Sequence, residues 1–222
     1  MQANIAQTIC GPRWSTKSIE RTSPNYRHDG LGRTKCRPAS PDSAGCRVDY
    51  PAMKPEVRRI RADEGPQLRA LRLRALAGAP LAFGSTLARE EALPEHIWHD
   101  RAAGGASDSD RVTFVAEREG HWLGLLTGLA ADPDQPDKTE PMLVGTFVEP
   151  SERGHGVGVA LVEAVIIWAR SRRAASLHLW VMSTNKPAIA LYAKCGFRRT
   201  GEQKPLGHAP TFSEVRMVRD LP

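Results

Sequence analysis

The 222-residue chain is long enough for one well-buried domain with an extension, since a domain of about 170 residues typically buries roughly 70% of its unfolded surface. Its formal charge of +6 is unevenly placed: residues 1–52 hold eight Lys/Arg against four Asp/Glu, leaving 23 against 21 elsewhere, too few and too scattered for a phosphate-binding face. No run approaches the roughly 20 apolar residues of a membrane span, the most apolar one, 157–169, being interrupted by Glu163, so neither a nucleic-acid nor a membrane partner is expected.

Residues 1–52 mix Pro, Gly, Ser, Thr and Arg without apolar periodicity and read as a disordered leader. Met53 precedes the first patterned segment, which raises the expectation that the natural chain starts there and that 53–222 forms the domain. Cys10, Cys36, Cys46 and Cys195 include no C-x-x-C pair and are read as free thiols in a reducing, cytoplasmic setting. The start of the chain has no signal-peptide apolar centre.

Val57-Arg58-Arg59-Ile60 alternates as a strand, and Leu68, Leu71 and Leu76 make a helical apolar stripe after Asp63. A second helical stretch spans about Glu90 to Ala102, entered through Phe83-Gly84-Ser85-Thr86 and closed by Gly104-Gly105-Ala106-Ser107. Val112–Glu117 and Trp122–Leu129 are strands joined by a turn at Glu119-Gly120, and the prolines of 132–137 mark the next turn. Met142–Val148 reads as a strand buried on both faces, stopped by Pro150. A glycine-opened helix follows with Val157, Leu161, Val165 and Trp168 on one face and Arg170, Arg172 and Arg173 near its C-terminal end. Leu177, Leu179 and Val181 alternate as a strand, 185–195 is helical, and Val215–Val218 closes the sheet. The expected order is β-α-α-β-β-β-α-β-α-β-β, an α/β fold.

Arg153-Gly154-His155-Gly156-Val157-Gly158-Val159-Ala160 follows a strand and opens a helix, where backbone N–H groups are free to hold an anion. Its glycines let the main chain approach phosphate oxygens and adopt positive φ. A triphosphatase loop would end in Gly-Lys-Ser/Thr, but Val159-Ala160 follows Gly158; a dinucleotide fingerprint would need Gly or Ala where Val159 stands.

Arg153-x-x-Gly156-x-Gly158, directly after Val148-Glu149-Pro150, resembles the first signature of the GCN5-related N-acetyltransferases. Asn185-x-x-Ala188-x-x-x-Tyr192-x-x-x-Gly196-Phe197, starting 32 residues after Arg153, resembles the second. The resemblance covers about residues 55–219. It implies a mixed sheet of six to seven strands with splayed central strands and about four helices. It also implies acetyl-CoA as co-substrate, with no metal, and direct transfer of the acetyl group to a small-molecule or protein amine. Phe147 and Val148 would pair with the pantetheine arm, and Arg153, Gly154, His155, Gly156, Val157, Gly158 and Val159 would hold the pyrophosphate. Asn185 and Tyr192 would contact the cofactor, and an N–H near Val148 would stabilise the oxyanion. The family also allows a homodimer and, as the rival function, a silent acyl-CoA-binding module.

An ammonium of pKa near 10.4 must lose a proton before attack, which at pH 7 costs about 4.6 kcal/mol. Glu140 stands where some family members place a catalytic Glu; Glu149, Glu90 and Glu91 are further carboxylates for this role. Tyr192 is the family's usual acid toward the departing thiolate, by proton transfer or by hydrogen bonding. His96 and His99 lack zinc-site partners, Cys195 reads as a packing residue, and Trp168 and Trp180 as core or flank aromatics.

Overall fold

The computed structural model describes residues 54–107, 109–135 and 140–222; the expectations for residues 1–52 and for a start at Met53 lie outside them. Seven strands form one mixed sheet in the order β1-β2-β3-β4-β5-β7-β6. They are β1 (Glu56–Arg59), β2 (Arg111–Arg118), β3 (His121–Leu129), β4 (Met142–Val148), β5 (Ser176–Met182), β6 (Arg198–Leu206) and β7 (Ala209–Asp220). The helices are α1 (Gly65–Gly78), α2 (Leu87–Glu91), α3 (Glu95–Ser107), α4 (Val157–Ser171) and α5 (Lys186–Lys194). All neighbours are antiparallel except β4 and β5, whose parallel pairing is confined to Met142↔His178 and Leu143↔Leu179.

The expected single helix over 90–102 is two helices. Pro94 lacks the N–H a continuous helix needs, and Thr86 caps the first by accepting from Arg89 N at 3.3 Å. Nor do the glycines at 104 and 105 end α3, which runs to Ser107. Gly105 faces the sheet, where a Cβ would stand 2.7 Å from Thr113 Oγ1 and 3.1 Å from Ile60 Cγ2. The glycine serves close approach here, not termination. The turn between β2 and β3 is as expected: Glu119 (φ 52°) and Gly120 (φ 79°) are both left-handed, as a two-residue hairpin turn requires.

The apolar face of α4, Leu161, Val162, Val165, Ile166, Trp168 and Ala169, is buried against one side of the sheet with Leu177, Leu179 and Met217. Two β3 glycines set its depth. A Cβ on Gly128 would lie 2.7 Å from Trp168 Cζ3, and one on Gly124 would lie 2.6 Å from Phe147 O and 3.2 Å from Leu161 Cδ1. The other side, over β1–β4, packs on α1 and α3 through Leu71, Leu76, Trp98, Ala102, Val115 and Leu125. Glu64 fixes the β1–α1 corner by accepting from Arg58 Nη1 at 2.9 Å, Arg58 Nη2 at 2.7 Å and Arg61 N at 2.8 Å.

β4 departs from the expected doubly buried strand. Only Leu143 and Phe147 are buried, and they belong to opposite cores. Four residues apart in a regular strand they would share a face. The register explains the switch: Leu125 opposes Phe147 and Thr127 opposes Val144, so Gly145 and Thr146 together face Leu126. This bulge is made by Gly145 at φ 70°, and just before it β4 ceases to pair with β5. The central strands diverge and open a cleft, so residues 144–146 remain half-buried.

Candidate active site

The cleft widens into a cavity of about 740 Å³ lined by Leu143, Val144, Gly145 and Thr146 of β4, by Asn185, Ala188 and Tyr192 from α5, and by Arg72, Phe83 and Trp98 from the α1–α3 cover. Tyr192 is 6% exposed, and its hydroxyl donates to Thr146 Oγ1 at 2.9 Å, at the bulge itself. Burial pushes its phenol up to about 12, an effect the Thr146 hydrogen bond opposes without cancelling. The ring is held edge-on to Phe197 with centroids 6.0 Å apart, so both downstream signature aromatics serve packing as well.

Asn185 caps α5, its Oδ1 accepting from Ala188 N at 3.2 Å, which accounts physically for the Asn-x-x-Ala spacing and leaves the amide nitrogen at the cavity wall. The glycine loop lies outside the cavity, with Gly158 against Leu191 of α5. Gly158 is where they touch: a Cβ there would stand 3.0 Å from Leu191 Cδ2 and 3.7 Å from Val148 Cγ2. Gly156 caps α4 at φ 88° and Gly154 has φ 83°, and a Cβ on either would meet nothing within 4 Å. Arg153, Gly154, His155 and Gly156 are exposed, Gly158 and Val159 are half-buried, and Val157 is buried, so Val157 could meet a ligand only through its backbone. Arg153 also anchors the strand end, its Nε donating to Val148 O at 3.0 Å. These open glycines and the free first-turn amides of α4 fit a pyrophosphate, and β4 beyond Leu143, paired with β3 but no longer with β5, offers backbone groups on its β5 side to an extended arm.

The structure does not bring Glu140 to Tyr192. Glu140 precedes β4, six residues before Thr146, about 20 Å along an extended chain. Its carboxylate pairs with Arg216, accepts from Ser176 Oγ at 2.6 Å and lies 3.4 Å from His178 Nδ1. The other side of His178 meets the buried Asp132, Nε2 to Oδ2 at 3.3 Å. Of the further carboxylates, Glu149 pairs with Arg74 at 3.0 Å and Glu91 is exposed. Glu90 lines the cavity but is gripped by Arg72 (2.9 and 3.1 Å) and Arg101 (3.3 Å). Burial alone would raise its proton affinity; Arg72, the Ser85 hydroxyl and Arg101 together outweigh that and hold it below the usual carboxylate range.

Among the cavity residues that sequence reasoning missed are Arg72, Arg101, Thr146 and Glu214. None belongs to a signature, and each reaches the cavity from a separate element. Cys195 is buried, as a packing residue should be, and burial pushes its thiol up. Trp168 is core, whereas Trp180 lines the cavity under Lys204, whose Nζ is 4.6 Å from the ring centroid.

A mixed sheet split at its parallel pair, beside a glycine-opened helix, is the fold of solved acetyltransferases. A ribosomal-protein-alanine N-acetyltransferase from Brucella melitensis superposes with a TM-score of 0.62 at 22% identity, over 75% of this chain and 99% of that one. A Salmonella typhimurium structure containing its cofactor acetyl-CoA superposes at 0.61 and 16% identity, over 77% and 95%. The sequence profile of the Acetyltransferase (GNAT) family matches residues 77–197, and the chain belongs to that family. Among curated relatives, a mycothiol acetyltransferase from Acidothermus cellulolyticus is 37% identical over 100 residues, 40% of this chain and 30% of its own length. An L-2,4-diaminobutyric acid acetyltransferase from Nocardia farcinica is 29% identical over 116 residues, 51% and 58% of the two lengths. The chain thus spans less than two thirds of either relative. No helix among the described residues is long and apolar enough to cross a membrane.

Proposed function

We propose that residues 53–222 form an N-acetyltransferase domain that moves an acetyl group from acetyl-CoA to an amine by direct attack. The observation that carries this reading is the divergence of β4 from β5 after Leu143, with the Tyr192 hydroxyl held at the Gly145–Thr146 bulge. Acetyl-CoA, when bound, supplies a thioester whose carbonyl carbon accepts the amine nitrogen. The backbone of 147–148 holds the extended arm, and the amides of 154–159, with Arg153, hold the pyrophosphate. A backbone N–H near Val148 faces the developing oxyanion. Tyr192 steadies the departing sulfur by hydrogen bonding. Glu140, engaged by Arg216 and Ser176, is assigned to joining the β4 entry to β5 and β7 rather than to moving the acceptor's proton.

The test is a thiol-release assay with acetyl-CoA across a panel of amines, run beside direct acetyl-CoA binding. Amine-dependent thiol release supports transfer. Tight binding with no release would instead make the domain a silent acyl-CoA sensor, and absence of binding would overturn both readings.

A further inference from the structure

Charges around the acceptor cavity are unevenly matched. On the wall made by α1, α3 and β2, the guanidiniums of Arg72, Arg101 and Arg111 line the cavity; Glu90 is the carboxylate lining it with them, and Arg111 lies 3.7 Å from Asp110. Glu90 engages Arg72 through Nε and Nη2 and Arg101 through Nη1, so the remaining donors of Arg101 are uncommitted to it. The Arg101 guanidinium lies 4.8 Å from the centroid of Trp98, whose buried indole N–H finds no acceptor among the described residues. That wall carries surplus positive charge and an unused donor.

The lining from β6 and β7 has the reverse imbalance. Lys204 is spent on Asp134 at 2.8 Å. Glu214, opposite Met182 on β5 and Lys204 on β6, lines the cavity with neither a hydrogen bond nor an ion pair among the described residues. Burial pushes its carboxyl up, an effect that Lys204 and His208 nearby oppose and the Asp134 carboxylate reinforces. A half-buried carboxylate without a partner is costly unless a ligand completes it.

A surplus guanidinium and a surplus carboxylate lining the same cavity of about 740 Å³ complement a molecule carrying both charges. A polyamine would place cations against Arg101, and a simple monoamine would leave the guanidinium wall unanswered. Resting on the acyl-transfer reading above, we propose that the acceptor is a small amino-acid-like zwitterion, its carboxylate bound by Arg101 beside Arg72 and its amine bound by Glu214. The amine gives one proton to Glu214. Its nitrogen then forms the bond to the acetyl carbon as the carbon–sulfur bond breaks, and the second proton shed by that nitrogen passes to the departing sulfur, so no other reactant is needed.

The experiment compares amino acids and diamino acids with their decarboxylated counterparts, pair by pair, in the thiol-release assay. The wild type should favour the carboxylated member by about tenfold or more in kcat/KM, the scale of a charge-assisted contact. Arg101→Gln should erase that preference by raising KM for the carboxylated member alone, with partial rescue in Arg101→Lys. Glu214→Gln should lower turnover of both members and change the acid limb of the pH profile. Thermal unfolding of each variant, together with its acetyl-CoA affinity, establishes that the fold and cofactor site are intact. Turnover without a carboxylate preference, or a preference that survives Arg101→Gln, would overturn this proposal while leaving acyl transfer standing. Acetyl-CoA binding with no turnover on any amine would overturn the transfer reading itself.

Discussion

Replacing Tyr192 by Phe removes one hydroxyl from a buried ring and nothing else, so it separates two roles for this residue. Burial pushes the phenol up to about 12. An ordinary thiol titrates near 8.5, so full proton transfer from Tyr192 to the departing sulfur would run uphill by about 3.5 pH units, roughly 5 kcal/mol. A hydrogen bond to a charged sulfur carries no such penalty and is worth about 1.5–3 kcal/mol. Tyr192→Phe should therefore lower kcat by about ten- to 150-fold, with acetyl-CoA affinity nearly unchanged. Losing the bond to Thr146 Oγ1 at 2.9 Å should cost about 1 kcal/mol of stability. Initial rates of thiol release from about pH 6 to pH 10, with both proteins on the same acceptor, provide the assay. Because the phenol keeps its proton throughout that range, both profiles should share the same alkaline limb. Unchanged kcat would remove Tyr192 from the chemistry, whereas a loss beyond about ten-thousandfold with disappearance of an alkaline limb would show that it is the proton donor after all.

Three further substitutions test the frame around the site. Gly156→Ala puts a side chain at φ 88°, where strain rather than space is limiting; it should cost about 1 kcal/mol, lower Tm by about 3 °C and weaken acetyl-CoA binding in calorimetry. Gly128→Ala drives a Cβ to 2.7 Å from Trp168 in a close-packed core, so chemical denaturation should show a loss of about 1–3 kcal/mol, with no loss if α4 can move away freely. Glu64 titrates below the usual carboxylate range: burial alone would raise it, but Arg58 and Arg61 overcome this. A depressed folded pKa means its contribution is complete above the unfolded value and is lost as pH falls through the folded one. Unfolding of the wild type should therefore become easier below about pH 4.5, and Glu64→Gln should lose about 3 kcal/mol at pH 7 while flattening that acid dependence.

Local rules made most of the sheet legible. Met142–Val148 coincides with β4 because its run of strand formers ends at Pro150, and the Glu119-Gly120 turn has the two left-handed residues its composition suggests. The order also survives, with one helix more than expected because Pro94 divides the α2–α3 stretch. What local pattern could not carry is the double use of glycine. Gly104 and Gly105 resemble a helix stop, yet Gly105 is inside α3 because Thr113 and Ile60 leave no room for a Cβ. Gly145 resembles any small residue in an apolar strand, but its positive φ makes the bulge that sends Leu143 and Phe147 to opposite cores.

The same limit applies to the site. The two signatures are contiguous in sequence because one helix start and one helix face supply them, so motif reading reaches the glycine loop, Asn185 and Tyr192. The acceptor side has no such contiguity: Arg72, Arg101 and Glu214 come from α1, α3 and β7, and only folding brings them to one cavity. Glu140 shows the converse error of proximity along the chain. It adjoins the strand that carries Thr146, yet strand geometry carries it away from Tyr192, and Arg216 and Ser176 take up its charge. A carboxylate's nearness in sequence to a motif thus says little about its chemistry; what distinguishes Glu214 from Glu90 and Glu140 is that folding leaves it at the cavity without an ion pair among the described residues, Lys204 across the strand pair being taken by Asp134.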